Sequence, residues 1–76
     1  MKAVTISLSQ IRQVQELVRL LSHFPFDVDM VSGRYTVDAK SILGIYSLDL
    51  SKPLKLLIYS DSCEELLKGL QPFQTE

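Results

Sequence analysis

The sequence predicts an α+β fold in which a four-stranded antiparallel sheet carries all of its helices on one face. The apolar residues change their period along the chain in the order strand, helix, strand, strand, helix, strand, helix (βαββαβα). Each strand segment has one apolar side, and each longer helix has one apolar stripe. Such one-sided elements pack in two layers around one core. The 76 residues are enough for one domain, residues 1–76, whose tail from about residue 71 we expect to be loose.

A strand and then a helix open the chain. The strand prediction rests on apolar side chains at every second position, namely Val4, Ile6 and Leu8. The period then becomes that of a helix, with one apolar face made of Ile11, Val14, Leu17, Val18, Leu21 and Phe24. Pro25 ends this helix just after Phe24, because the residue before a proline is disfavoured in helical geometry.

The start of this helix has two possible caps. In the first interpretation, the Ser9 side chain caps the helix directly. In the second, residues 7–10 form a capping box that Gln10 closes with its amide, while Ile6 packs against Ile11. The sequence does not decide between them.

A β-hairpin follows. Phe26, Val28 and Met30 alternate with aspartates, and Ser32-Gly33 offers a two-residue turn. The register that this turn fixes pairs Val31 with Arg34, Met30 with Tyr35, Asp29 with Thr36, Val28 with Val37 and Asp27 with Asp38. The last pair brings two like charges together, which is mildly unfavourable.

A short helix is predicted from Ser41 to Leu48, with Ser41 as its N-cap. Ile42, Ile45 and Leu48 share one face, so Leu43 and Tyr46 are expected to reach solvent beside Ile42.

A fourth strand and a last helix complete the predicted elements. The strand prediction rests on apolar alternation at Leu54, Leu56 and Ile58. Ser62-x-x-Glu65 is typical of a capping box that opens a helix, and Gly69 and Pro72 mark the end of that helix.

Composition argues against several classes of function. Eight basic and nine acidic residues give a net charge of −1 without a basic stripe, so we expect no nucleic-acid partner. We expect no membrane span and no secretion signal, and a single cysteine, Cys63, fits a reducing, cytoplasmic location. Without a His/Cys cluster or a glycine-rich phosphate loop, no metal and no cofactor are expected. The spacing of Asp27, Asp29 and Asp38 fits no calcium loop, which favours a solvated face.

One segment resembles a known family. Residues 37–48, Val-Asp-Ala-Lys-Ser-Ile-Leu-Gly-Ile-Tyr-Ser-Leu, resemble the regulatory-serine segment of HPr, the histidine-containing phosphocarrier protein of the bacterial sugar phosphotransferase system. Residues 22–24 and 26–29 also resemble the matching part of HPr, and the resemblance runs without a gap from Ser9 to Leu50. It implies the HPr fold, an open-faced β-sandwich with the order βαββαβα.

The resemblance also implies a set of site residues. Ser41 would accept a phosphate from an ATP-dependent HPr kinase/phosphorylase; the alternative is that Ser41 is a plain N-cap. Ile42, Leu43 and Tyr46 resemble the apolar surface by which HPr docks its partners, and Arg12 on the neighbouring helix would contact a phosphate or carboxylate. The alternatives are core packing for Ile42 and ordinary surface exposure for the other two.

The chain departs from the family at the phosphoacceptor. Gln10 aligns with the histidine that carries the phosphoryl group in HPr, Arg12 matches the family arginine, and Gln13 replaces the proline that follows it. A carboxamide nitrogen shares its lone pair with the carbonyl and is no nucleophile near neutral pH, unlike a neutral imidazole. The single histidine, His23, lies about 20 Å further along the helix at ~1.5 Å per residue. No catalytic residue is therefore predicted, although Gln10 could equally be only a cap.

These observations lead to a functional hypothesis with two alternatives. We expect a non-enzymatic, HPr-like regulatory or adaptor protein that binds a protein partner, with phosphorylation at Ser41 as a candidate control. A glutamine at this position also occurs in the catabolite-repression homologue of HPr, which implies three kinds of partner: phosphotransferase-system components, HPr kinase/phosphorylase or a carbon-control transcription factor. The alternatives are a phosphotransferase component or decoy that acts through another residue, and a structural or oligomeric module.

Overall fold

The computed structural model describes residues 1–74 and confirms the predicted fold class. The chain forms β1 (Lys2–Ile6), α1 (Ile11–Leu21), β2 (Val28–Ser32), β3 (Tyr35–Asp38), α2 (Ile42–Tyr46), β4 (Leu54–Ile58), α3 (Glu64–Leu70) and a short 3-10 helix (Gln71–Phe73). The strands form one antiparallel sheet in the order β1-β4-β2-β3. No helix within residues 1–74 has the length and apolar character needed to cross a bilayer.

The core lies between one face of the sheet and the helices. The sheet contributes its alternating buried side chains, Ile6, Val28, Met30, Leu54, Leu56 and Ile58. The helices contribute their apolar stripes, which are Val14, Leu17 and Leu21 from α1, Ile45 from α2, and Leu66 and Leu70 from α3. No buried side-chain polar atom in the described part of the chain lacks a hydrogen-bond partner. This core holds α1 against α2.

The predicted hairpin register is wrong by two positions. The observed pairs are Asp29 with Asp38, Met30 with Val37, Val31 with Thr36 and Ser32 with Tyr35, so the predicted pairs Val31/Arg34, Met30/Tyr35, Asp29/Thr36, Val28/Val37 and Asp27/Asp38 are not formed. The turn is Gly33-Arg34, with φ of +58° at Gly33. A glycine at the first central position is what a type II′ hairpin turn requires. Because the shift is an even number of residues, every side chain keeps its predicted face.

Neither predicted cap of α1 forms. Gln10 is the N-cap residue, and the side chain that closes the first turn belongs to Gln13 rather than to Ser9 or Gln10. The helix starts one residue too late for Ser9 to cap it. Ile11 is 66% exposed, so its predicted packing against Ile6 is also wrong. At the other end the helix stops at Leu21, three residues before Phe24.

The last helix also differs in detail from the prediction. Its N-cap is Cys63, while the predicted cap residue Ser62 instead binds the Ser60 hydroxyl through its backbone. Gly69 lies inside α3 rather than at its end. A Cβ atom at Gly69 would lie 2.9 Å from Cδ1 of Leu20, so α1 and α3 approach closely there.

The prediction of a loose tail from residue 71 is wrong for residues 71–74. Phe73 is 7% exposed, and its carbonyl accepts a hydrogen bond of 2.8 Å from the Ser7 N–H. Gln74 pairs with Ile6 in an isolated antiparallel bridge. Burial of the Phe73 ring stabilises this end of the chain. Residues 75 and 76 lie outside the described part of the chain.

Candidate functional site

The first turn of α1 is closed by one neutral side chain. Oε1 of Gln13 accepts hydrogen bonds from the Ser9 N–H (2.7 Å), the Ser9 hydroxyl (3.0 Å) and the Gln10 N–H (3.2 Å). The Gln13 N–H in turn donates to the backbone carbonyl of Gln10 at 3.0 Å. This arrangement is a variant of the capping box, in which the third residue of the helix satisfies donors that precede it. The backbone around Gln10 is therefore fixed by its neighbour.

Gln10 and Arg12 lie together in this first turn, and both are exposed. The pair thus has a neutral amide at the N-cap and a guanidinium two residues on. The guanidinium is suited to a phosphate or carboxylate of another molecule because it presents several N–H donors in a planar fork.

His23 is not part of this site. It follows the C-terminal end of α1, where its Nδ1 lies 2.8 Å from the carbonyl oxygen of Arg19. With Nδ1 protonated the ring donates to this carbonyl, and a cationic ring would also interact favourably with the helix C-terminus. The structure therefore separates the one imidazole of the chain from Arg12 by the length of α1.

Ser41 caps α2 as predicted. Its backbone is extended, with φ −100° and ψ 109°, and its hydroxyl oxygen accepts the Gly44 N–H at 3.2 Å. The residue is exposed. The Ser41 N–H donates to the Asp38 carbonyl at 3.0 Å, which anchors the cap to the end of β3. The same hydroxyl is thus a structural cap and an accessible oxygen.

Exposed apolar side chains lie on both helices near these residues. Leu43 is 78% exposed and Tyr46 is 40% exposed, as the helical spacing predicted. Ile42 is half-buried and packs against the core, so core packing accounts for part of its surface. Ile11, which sequence reasoning placed in the core, is a further exposed apolar residue. We call Ile11, Arg12, Leu43 and Tyr46 the α1/α2 face.

An acidic cavity lies at the sheet. It is lined by Asp27, Asp29, Asp38 and Tyr59, and the Tyr59 hydroxyl donates to Oδ2 of Asp29 at 3.0 Å. This hydrogen bond is the main reason why the pKa of Tyr59 is raised above its ordinary value. Within residues 1–74, no group of three or more His, Cys, Asp or Glu side chains is arranged to hold a metal ion.

Comparison with solved structures identifies the family. An HPr protein from Thermoanaerobacter tengcongensis (HPr-C-His) superimposes with a TM-score of 0.77 at 34% sequence identity, covering 92% of this chain and 86% of that protein. The chain belongs to the HPr family. The phosphocarrier protein HPr from Bacillus anthracis str. Ames gives a TM-score of 0.72 at 28% identity, covering 97% of this chain and 94% of that one. No protein-family model and no curated protein matches the chain.

Membership of the HPr family accounts for the fold. The family motif at the start of α1, as the sequence resemblance aligns it, places Gln10 where HPr has its phosphoacceptor histidine. On the HPr fold, the resemblance therefore predicts an amide at a position where the family has an imidazole.

Proposed function

We propose that this HPr-family protein is a regulatory adaptor that binds protein partners through the α1/α2 face and does not carry phosphate on α1. One observation carries the proposal: an exposed amide, Gln10, occupies the N-cap of α1 in a chain that keeps Arg12 and Ser41. An amide cannot form the phosphoramidate that a histidine forms, because its nitrogen has no available lone pair. A surface without the nucleophile can still bind.

The α1/α2 face has the properties of a small protein-binding surface. Leu43 and Tyr46 are exposed apolar side chains on α2, and Arg12 offers a cation at its edge. Leucine and tyrosine side chains can fill apolar pockets of a partner, while a rim arginine directs binding toward acidic groups. We infer a partner with an apolar patch bordered by carboxylates.

Phosphorylation of Ser41 is the proposed control. A phosphate there would add a charge of about −1.5 to −2 and three acceptor oxygens at the N-terminus of α2. Negative charge is favourable at that end of a helix, so the modification would strengthen the cap that the hydroxyl already provides. Because Leu43 lies two residues away on the same helix, the new charge would change which partners the face accepts.

The first experiment tests the loss of the carrier activity. The protein is incubated with phosphoenolpyruvate and the general phosphotransferase of the sugar system, with HPr from Bacillus anthracis as the positive control. We expect HPr to gain a phosphoryl group and the intact mass of this chain to stay unchanged. Label that disappears in His23→Ala would show transfer to another residue and would reject the proposal.

The second experiment tests the face and the kinase. HPr kinase/phosphorylase with ATP should phosphorylate the wild-type chain but not Ser41→Ala. Binding to the kinase should weaken in Tyr46→Ser and remain unchanged in Tyr59→Ser, a matched control because these tyrosines are 40% and 45% exposed on different parts of the molecule. Equal binding by both variants, or modification of Ser41→Ala, would contradict the proposal.

A decoy role is the second candidate function, and the retained Arg12 favours it. A chain that keeps the docking residues but lacks the nucleophile would occupy the general phosphotransferase without turnover. The decoy predicts competitive inhibition of HPr phosphorylation, whereas the adaptor predicts none at equal concentration. Native mass measured over a concentration series tests the remaining alternative, an oligomeric module built on the exposed edges of β1 and β3.

A further inference from the structure

The Lys40 side chain joins two parts of the molecule that are far apart in sequence. Its ammonium donates to the backbone carbonyls of Phe24 at 2.6 Å and of Phe26 at 2.8 Å, and this contact is partly buried. Both carbonyls belong to the loop between α1 and β2, which contains Pro25. Lys40 itself immediately precedes the cap of α2.

The backbone of Lys40 is held independently of this contact. Its N–H donates to Oδ1 of Asp38 at 2.9 Å, and the preceding Ala39 N–H donates to the Val28 carbonyl at 2.9 Å. Ala39 is fully buried, which fixes the segment against the core. The ammonium therefore extends from a rigid segment, and the element that it secures is the loop.

The loop that Lys40 secures follows directly from α1. The Phe24 and Phe26 rings pack on each other with centroids 5.5 Å apart and lie against the core. Both residues lie outside α1 and β2, and their carbonyls accept hydrogen bonds from the charged Lys40 ammonium. Hydrogen bonds from a charged donor are stronger than neutral ones, and they are less screened when partly buried.

We propose that Lys40 is a positioning residue for the α1/α2 face. It ties the loop that follows α1 to the segment that precedes α2 and so restricts how the two helices that carry Arg12 and Leu43 move relative to each other. A face that is already ordered loses less entropy when a partner binds. The binding part of this inference rests on the proposed function; the tie itself does not.

Two measurements on the wild-type chain and its variants test the tie. In the whole wild-type chain, NMR of lysine side chains should show Lys40 ammonium hydrogens that exchange with water much more slowly than those of exposed Lys52. In Lys40→Met the Gly44 amide should exchange about tenfold faster than in wild type, while Lys52→Met leaves it unchanged. Equal exchange of the two ammonium groups overturns the inference even if Lys40→Met fails to fold.

The consequence for binding is measured with HPr kinase/phosphorylase as the probe. We expect Lys40→Met to bind roughly three- to tenfold more weakly than wild type and Lys52→Met to bind as wild type does. Wild-type affinity in a folded Lys40→Met chain would overturn the positioning role. If the kinase does not bind the wild-type chain, the proposed function fails, and the exchange data still decide whether Lys40 ties the helices.

Discussion

Replacing Gln10 with histidine should convert this chain into a phosphoacceptor at little cost in stability. The hydrogen bonds at the start of α1 use the Gln10 main chain: its N–H donates to Gln13 and its carbonyl accepts from Gln13. A histidine keeps both. Because position 10 is exposed, the free energy of unfolding should change by no more than about 0.5 kcal/mol.

The assay is phosphoenolpyruvate-dependent labelling by the general phosphotransferase, followed by intact mass. Gln10→His should gain one acid-labile phosphoryl group, while wild type gains none. Gln10→Asn is the control, since it preserves an amide. A Gln10→His chain that folds normally but stays unlabelled would refute the argument that the missing ring nitrogen is what silences this site. A loss of more than about 1 kcal/mol in urea unfolding would contradict the expected stability of Gln10→His, because it would show that the Gln10 side chain is a cap.

Three further predictions concern the cap, the helix contact and a titration. Ser41→Ala should lower stability by about 1 kcal/mol and the midpoint by about 4–8 °C in thermal unfolding, whereas Ser41→Asp should stay near wild type because a carboxylate still caps. Gly69→Ala should stabilise wild type by less than the ~1 kcal/mol that alanine usually gains over glycine inside a helix, since the new Cβ displaces the Leu20 side chain, and should give the full gain in Leu20→Ala; a double-mutant cycle in urea measures both. In a spectrophotometric titration Tyr59 should ionise at a higher pH than a free tyrosine, because its hydroxyl donates to Asp29, and Asp29→Asn should lower the pKa of Tyr59. Because its pKa is raised in the folded state, the stabilisation is complete below the ordinary tyrosine pKa and is lost as pH rises through the folded value.

The fold could be predicted because a helix or strand that is buried on one side has apolar residues at regular intervals in the sequence. Alternation at Leu54, Leu56 and Ile58 defines β4 without any knowledge of its neighbours. The hairpin register could not be predicted in the same way. Gly33 can occupy the second central position of a type I′ turn or the first central position of a type II′ turn. In both registers each side chain of the hairpin lies on the same face of the sheet. Apolar pairing therefore could not distinguish them.

Part of the candidate site followed from the sequence and part did not. The cap at Ser41 and the exposure of Leu43 and Tyr46 depend on local spacing alone, and the structure agrees with both. The Lys40 ammonium contacts carbonyls that are 14 and 16 residues away in sequence. The periodicity of apolar residues does not predict such a contact. Ile11 was misplaced because the first position of a helix can project past the end of the core even when it continues the apolar stripe.

The two departures at the start of α1 act together. As the resemblance aligns them, Gln10 stands where the family has its nucleophile and Gln13 stands where it has a proline. Gln13 directs an acceptor oxygen at the donors next to it. The Ser9 N–H, the Ser9 hydroxyl and the Gln10 N–H all donate to that oxygen, so they are engaged inside the chain instead of being free for a phosphoryl group. A proline has neither a side-chain amide oxygen nor a backbone N–H, and it could not close the turn in this way. Under the proposed adaptor function, these internal hydrogen bonds leave fewer donors next to Gln10 for an anion.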